Sequence, residues 1–384
     1  MTRPIGVVML TTNFYPHIGG AEKQALEVSK ALAARGARVR VVTRRTRGLR
    51  SEDSVAGIPV RRLAAWGGGL LGPVVFMLSS LLHLLLRWRE YDVLHVHLAS
   101  SPAVSAALAG RILGKKVVVK MGGGKGVGEI ARSRGSLSGR LKLWAIGRLR
   151  PTLVAVNREQ ARELVGFGLE RLEVRLIPNG VDLQAYRPAA QRERDDIRRE
   201  LGWAGMVFLF LGRFGSDKGQ LEGLGTFLDG WSAARRNGFS GSFYMVGSGP
   251  EEARFREMIR SRGLDDCARL LGPREEVSRL HRGADVFVLP TLSEGLSNAL
   301  LEALASGLPA LACRVSGIRE VVEHGTQGFL FDPSSPEEVE RLLTDIGRDP
   351  ARLRAMGRSA RKLAASRFSL DATAEAWLEA YKSR

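Results

Sequence analysis

The chain has 384 residues, of which 44% are hydrophobic and 26% are charged. This is the composition of a soluble globular protein, and the length predicts two domains that each bury a core. The two cysteines, Cys267 and Cys313, do not have the spacing of metal ligands, and a reduced cytoplasmic thiol pair is expected.

The formal net charge of the whole chain is +18, and the excess positive charge is concentrated in its first half. Residues 1–190 contain 30 Lys and Arg against 12 Asp and Glu, whereas residues 191–384 contain 28 of each class. This asymmetry favours an acidic partner for the first half: an anionic membrane, a phosphorylated acceptor or a nucleic acid. A basic surface that only keeps the protein soluble is the alternative.

The first half alternates strand-like and helix-like segments. An apolar run at 5–11 predicts a first strand rather than a signal peptide, and Gly19 and Gly20 then lead into a helix that Gly36 ends. Further strands are predicted at 38–43, 91–98, 115–121, 152–157 and 174–179. Strands that alternate with helices predict right-handed crossovers and a parallel sheet.

One apolar segment, residues 70–86, contains 17 residues without a charge. That length is near the lower limit for a membrane-spanning helix. However, Gly72 and Pro73 interrupt its start, and His83 and two serines lie within it. We therefore expect a helix that covers the sheet, partly against a membrane surface, rather than a transmembrane span.

The second half repeats the alternation, starting from an almost wholly apolar strand at 206–212 that is typical of burial on both faces. A helix is predicted over 218–236, and strands follow at 242–249, 268–272, 284–290, 309–313 and 328–333. The polar segment 183–205 is the expected boundary. We predict an α/β protein with two doubly wound parallel sheets, in domains of residues 1–187 with a returning helix at 371–384, and 188–370.

Candidate ligand-binding residues follow the predicted strands of the second half. Arg213 and Lys218 follow the strand at 206–212, and Gly247 and Gly249 follow the next strand. Ligands of open parallel sheets bind beyond the carboxyl ends of the strands. Two cations beside glycine-rich helix N-termini suit a diphosphate, because arginine, lysine and backbone N–H groups all bind phosphate oxygens.

Two glutamates stand eight positions apart in SEGLSNALLEALASGLP, residues 293–309. Glu294 precedes a predicted helix, so its carboxylate can point above the sheet. Glu302 lies inside that helix among Ala and Leu, where a buried carboxylate without partners would cost several kcal/mol. The hydroxyls of a ribose would satisfy this carboxylate, and a nearby arginine is the alternative.

These motifs resemble those of the family-4 retaining glycosyltransferases, which have the GT-B fold of two Rossmann-like domains facing a central cleft. The two-glutamate signature is present as Glu294 and Glu302. Supporting motifs are FYPHIGGAE, DVLHVH, IPNGVD (177–182), LGRFGSDKG (211–219), VGSGP (246–250) and SGIREVVEHGTQGFLFDP (316–333). The resemblance covers nearly the whole chain. It implies a hexosyltransferase whose C-terminal domain holds a nucleotide-sugar donor and whose N-terminal domain holds the acceptor.

The resemblance also implies roles for individual residues on the donor side. Arg213 and Lys218 would neutralise the leaving nucleotide diphosphate, and Glu294 would lie beside the transferred sugar. Glu302 would bind the ribose hydroxyls. The backbone groups of Gly295, Leu296 and Ser297 would contact the sugar and phosphate. Gly19 and Gly20 would let the N-terminal loop approach the diphosphate.

Family members are thought to transfer the sugar on the face from which the nucleotide leaves, with a phosphate oxygen as base. This implies that no metal and no cofactor is required, in keeping with the absence of an Asp-x-Asp motif. One departure concerns the loop 120–129, which contains Lys120, Lys125 and no histidine where many relatives have one. His95 and His97 are expected to face opposite sides of their strand. The candidates on the acceptor side are His97, Lys120 and Lys125.

Two other functions are compatible with parts of the sequence. A nucleic-acid-binding protein would explain the charge, but no recognised binding module is present. A nucleotide-sugar 2-epimerase would share the fold but needs no second substrate. We expect instead a cytoplasmic enzyme without a nucleic-acid partner. It would dock peripherally on the anionic inner face of a membrane and extend a lipid-linked glycan.

Overall fold

The computed structural model describes residues 3–17, 19–69, 71–123, 133–165, 169 and 171–382. Contacts divide the chain into two compact units, Met1–Gly180 with Leu370–Arg384 (unit 1) and Val181–Ser369 (unit 2). The division falls earlier than the expected break after residue 187. The reason is that the Val181 amide donates a hydrogen bond of 2.8 Å to the Phe368 carbonyl, which ties this residue to unit 2.

Unit 1 is built on one eight-stranded sheet. Its strands are β1 (Gly6–Leu10), β2 (Arg38–Arg44), β3 (Glu52–Val55), β4 (Ile58–Leu63), β5 (Val93–His97), β6 (Lys116–Lys120), β7 (Thr152–Ala155) and β8 (Val174–Leu176). The strand order is β3-β4-β2-β1-β5-β6-β7-β8. All pairings are parallel except that of β3 with β4.

The β3–β4 hairpin was not expected from the sequence. It occupies the edge of the sheet, and β3 is exposed along most of its length, so it lacks the apolar run that marked the other strands. The hairpin turns at Ala56 and Gly57, which both have positive φ (48° and 80°). Two consecutive residues of positive φ are typical of a tight two-residue hairpin turn.

Helices cover both faces of this sheet. They are α1 (Gly20–Ala34), α2 (Leu71–Leu86), α3 (Pro102–Leu113), α4 (Leu137–Leu149), α5 (Arg158–Val165) and the C-terminal helix (Leu370–Lys382). Val7 and Met9 of β1 share a core with α1 and the C-terminal helix, while Val8 and Leu10 share a second core with α2, α3 and α4. Within the described part of the chain, none of the helices combines the length and apolar content needed to cross a bilayer.

Unit 2 is built on a six-stranded parallel sheet. Its strands are β9 (Val207–Leu211), β10 (Ser242–Val246), β11 (Ala268–Gly272), β12 (Val286–Leu289), β13 (Ala310–Cys313) and β14 (Gly328–Phe331). Its helices are α6 (Gln191–Leu201), α7 (Gln220–Arg236), α8 (Glu252–Arg260), α9 (Val277–Gly283), α10 (Asn298–Ala305), α11 (Ser316–Arg319), α12 (Pro336–Arg348) and α13 (Pro350–Arg367). The prediction of two parallel α/β sheets is confirmed.

The strand order of unit 2 defines where a ligand would bind. The order is β11-β10-β9-β12-β13-β14. The chain therefore builds outward from β9 to β11 and then returns to place β12 on the other side of β9. Such a reversal is a topological switch point, and the crevice beyond the carboxyl ends of the two strands is the usual ligand site of open parallel sheets.

Candidate active site

A lysine and a glutamate meet at the switch point of unit 2. Lys218 comes from the loop after β9, and Glu294 comes from the loop after β12. The Lys218 Nζ lies 2.9 Å from Oε1 and 3.0 Å from Oε2 of Glu294. The side chain of Lys218 is 35% exposed and that of Glu294 is 11% exposed. A ligand in the crevice can therefore reach both groups, and the ion pair holds them in a defined position.

The loop after β12 also fixes the main chain of Lys218. Its carbonyl accepts hydrogen bonds from the Thr291 hydroxyl (2.9 Å), the Leu292 amide (2.9 Å) and the Ser293 amide (3.1 Å). The following residue, Gly219, has φ of 64°, and an added Cβ would lie 2.7 Å from the Leu292 Cβ. Sequence reasoning missed Thr291, although its place directly after a buried strand was a usable signal.

Arg213, the second predicted cation, forms an ion pair with Asp217. Its Nη2 lies 2.7 Å from Oδ1 of Asp217, and both side chains are exposed. Exposed ion pairs contribute little because water competes for both charges. Asp217 can therefore release the guanidinium to an anionic ligand at small cost.

The glycine loop after β10 lies directly against the loop that carries Arg213. The Phe214 amide donates to the Ser248 carbonyl at 3.0 Å, and the Phe214 carbonyl accepts from the Glu251 amide at 3.1 Å. A Cβ on Gly247 would lie 1.9 Å from the Gly212 carbonyl oxygen, and a Cβ on Gly249 would lie 2.1 Å from the Phe214 oxygen. Glycine is needed at both positions because the two backbones approach too closely for a side chain.

Helix α10 begins just after Glu294. The Ser297 side chain caps it by accepting a hydrogen bond of 3.3 Å from the Leu300 amide. The predicted backbone contacts, Gly295, Leu296 and Ser297, thus form the entry into this helix. Glu302 lies farther along α10 and is buried, with 5% of its surface exposed.

Gly317 holds the backbone of the Glu294 loop, and sequence reasoning did not single it out. It lies in α11, close to the segment that links Glu294 to Gly295. A Cβ on Gly317 would lie 1.9 Å from the Glu294 carbonyl oxygen and 2.6 Å from the Gly295 oxygen. No sequence pattern indicates this contact, because the two segments are distant along the chain.

Gly19 and Gly20 lie at the switch point of unit 1, where β1 neighbours β5. Gly19 is the extended residue before α1, and Gly20 is the first residue of that helix. The hydroxyls of Thr12 and Ser100 lie 2.7 Å apart and join the loops after β1 and β5. The approach of this loop to a diphosphate stays a prediction.

His95 and His97 lie on the same face of β5, so the expectation that they face opposite sides is wrong. Residues i and i+2 of a strand point to the same face, and the two rings stack with centroids 5.6 Å apart. The His95 Nδ1 lies 2.6 Å from the Tyr381 hydroxyl. The Lys120 Nζ lies 3.5 Å from the His97 Nε2. Lys125 lies outside the described residues.

Both histidine rings are fully buried and neutral. Burial, with the charge of Lys120 as a second cause, lowers the pKa of His95 to about 3. The same causes hold the pKa of His97 well below its usual value. Among the described residues, no group of three or more His, Cys, Asp or Glu side chains could hold a metal ion.

Comparisons with known proteins identify the family of this chain. A family model described as Glycosyltransferase Family 4 matches residues 18–185, and one described as Glycosyl transferases group 1 matches residues 205–349. The chain belongs to the family 4 glycosyltransferases, whose two domains these models describe. The two models match unit 1 and unit 2 respectively, so the family resemblance extends over both sheets, and the GT-B fold class predicted from the motifs is confirmed.

The similar proteins include several that are named as glycosyltransferases. The D-inositol 3-phosphate glycosyltransferase of Kineococcus radiotolerans is 29% identical over 95% of this chain and 90% of its own. The structure of HepE from Anabaena in complex with UDP and glucose aligns with a TM-score of 0.79 and 20% identity, over 98% of each chain. WaaG, a glycosyltransferase involved in lipopolysaccharide biosynthesis, aligns with a TM-score of 0.75 and 18% identity, over 98% of this chain and 100% of its own.

Proposed function

We propose that this glycosyltransferase moves a sugar from a nucleotide-sugar donor to a glycan acceptor with retention of the anomeric configuration. The Lys218–Glu294 pair at the switch point of unit 2 carries the proposal, since a cation and a carboxylate there can serve the two parts of a sugar diphosphate. The HepE complex with UDP and glucose supports a donor of this class.

In this reaction, charge on the leaving diphosphate grows as the bond to the sugar breaks. Lys218 and Arg213 supply positive charge for the phosphate oxygens, as preorganised groups do at the developing charge of a transition state. Once the diphosphate takes over Lys218, the carboxylate of Glu294 is available to the sugar. The backbone at the start of α10 contributes amide donors and the positive end of the helix dipole.

We further propose that the acceptor is lipid-linked and that unit 1 docks peripherally on an anionic membrane surface, as in the assembly of a surface polysaccharide or glycolipid. The excess positive charge of the chain supports this, because it lies in the half that forms unit 1. The exposed side of α2 presents Leu78, Leu82 and Leu86 at helical spacing. Apolar side chains flanked by basic residues are typical of helices that lie in a membrane interface.

A transfer assay tests the reaction and its independence of metal. We expect a nucleotide sugar and a lipid-linked glycan together to yield an extended glycan and a nucleotide diphosphate, with a rate that EDTA leaves unchanged. The physical reason is that Lys218, Arg213 and a helix N-terminus take the place of a divalent ion. Loss of activity in EDTA, restored by magnesium or manganese, would contradict this account of the phosphate site.

The same assay without acceptor tests the alternative function. Conversion of the nucleotide sugar to an isomer would support the 2-epimerase instead.

Substitution of Glu302 should weaken donor binding while turnover changes little. Hydrogen bonds to a charged group contribute about 1.5–3 kcal/mol, so Glu302→Gln should raise the Kd of the donor roughly 10- to 100-fold. Thermal shift with increasing nucleotide sugar measures the Kd, and the melting temperature without ligand serves as the control for packing. A lower melting temperature with an unchanged Kd would show that Glu302 has a structural partner rather than the ribose.

A further inference from the structure

An arginine-lined groove runs along α4 of unit 1, and none of its lining residues belongs to the candidate active site described above. It has a volume of about 990 Å³ and is also lined by Leu143, Trp144 and Leu172. Its arginines are Arg111, Arg134, Arg140, Arg148, Arg150 and Arg171. They come from the end of α3, from α4 and its two flanks, and from the segment before β8. The described residues that line the groove include no Asp or Glu.

Four of the six groove arginines stand apart from the ion pairs seen elsewhere on the surface. Arg111, Arg148, Arg150 and Arg171 are exposed, and none of them takes part in the salt bridges found among the described residues. Some exposed arginines elsewhere in unit 1 do pair with carboxylates, as Arg40 does with Glu90 at 2.5 Å. Like charges gathered in one concavity repel one another, so an anionic ligand would stabilise this arrangement.

The second observation is a row of apolar side chains on the same helix. Leu137, Leu141 and Trp144 of α4 are 84%, 64% and 64% exposed. Their spacing of four and three residues places them on one face. Trp144 belongs both to this row and to the lining of the groove. The apolar row and the arginines are thus neighbours on one surface of unit 1.

We propose that this surface is the membrane contact of unit 1 and that the groove binds the headgroups of anionic phospholipids. The arginines would bind phosphate oxygens, and arginine does so bidentately. Leu137, Leu141 and Trp144 would enter the boundary of the acyl chains, where tryptophan is favoured. A nucleic acid or a soluble phosphate compound would use the arginines but would leave the apolar row in water. The inference rests on the proposed membrane docking, and it adds α4 and its groove to the exposed apolar side of α2 as parts of the contact.

Vesicle binding tests the assignment. The full-length protein is co-sedimented with phosphatidylcholine vesicles, with and without phosphatidylglycerol, at low and high salt. The groove variant is Arg148→Gln with Arg171→Gln. Its charge-matched control is Arg47→Gln with Arg50→Gln, which removes two exposed arginines from the turn between β2 and β3. Each basic residue near an anionic surface contributes about 1 kcal/mol, so the groove variant should bind on the order of 30-fold more weakly, and the control should change little.

A second readout reports insertion directly. Vesicles containing phosphatidylglycerol should shift the tryptophan emission to shorter wavelength, and Trp144→Phe should remove most of that shift. Equal losses of binding in the groove and control variants would overturn the groove as a site and leave only general electrostatic attraction. If the protein without substitutions does not bind anionic vesicles, the proposed membrane docking itself is wrong. The assay with donor and acceptor tests sugar transfer separately, so neither of these results would contradict the proposed reaction.

Discussion

Replacing Lys218 by methionine should lower kcat by about 10²- to 10³-fold while donor binding changes much less. Removing one preorganised group from the site of developing charge has effects of this size in other enzymes. The Lys218 Nζ is held 2.9 Å and 3.0 Å from the two Glu294 oxygens before any ligand arrives, so the cation needs little reorganisation as the diphosphate leaves. An interaction that strengthens as the bond breaks appears in kcat rather than in the affinity for the donor.

The matched control is Lys362→Met, because Lys362 is the other lysine of unit 2 and is exposed on α13. It should leave both kcat and the Kd of the donor unchanged. Lys218→Arg keeps the charge but changes its geometry, and should recover part of the activity. Weakened donor binding with an unchanged kcat in Lys218→Met would assign the lysine to ground-state binding, contrary to the proposal.

The sheets were predictable from the sequence because their buried strands have almost no polar residues, as in the segment 206–212. The same rule placed Lys218 and Glu294 at strand ends. Their direct contact was not predictable, because it depends on β9 and β12 being neighbours in the sheet, and strand order is not visible in the apolar pattern. The two cations were expected to act together, whereas the structure pairs Arg213 with Asp217.

Other features escaped sequence reasoning for identifiable physical reasons. The β3–β4 hairpin lies at an exposed edge and has no buried face to create a hydrophobic pattern. The two histidines of β5 were predicted to face opposite sides, although residues two positions apart in a strand point to the same side. In the structure their rings stack on one face. Positions such as Gly317 are constrained by backbone that is far away in sequence, and a single sequence does not display such contacts.

Gly317→Ala should lower kcat/KM by about 100-fold, because it would displace the backbone that carries Glu294. The new methyl group would lie 1.9 Å from the Glu294 carbonyl oxygen and 2.6 Å from that of Gly295, so the loop or α11 must move. Both neighbours are backbone atoms, which cannot rotate away as the end of a side chain could. A shift of about 1 Å in a reacting group is enough for a loss of this size.

The control for this substitution is Gly225→Ala in α7, where the nearest atoms to an added Cβ are the Met258 Cε at 3.5 Å and the Arg262 Nη2 at 3.9 Å. These are ordinary contacts, and alanine is preferred to glycine within a helix by about 0.5–1 kcal/mol, so this variant should keep its activity and melt at the same or a higher temperature. Gly317→Ala should melt lower, because overpacking typically costs about 1–3 kcal/mol. Steady-state kinetics well below the melting temperature separate the two effects. Full activity in a folded Gly317→Ala protein would show that α11 moves instead of the Glu294 loop, and the role proposed for Gly317 would then fail.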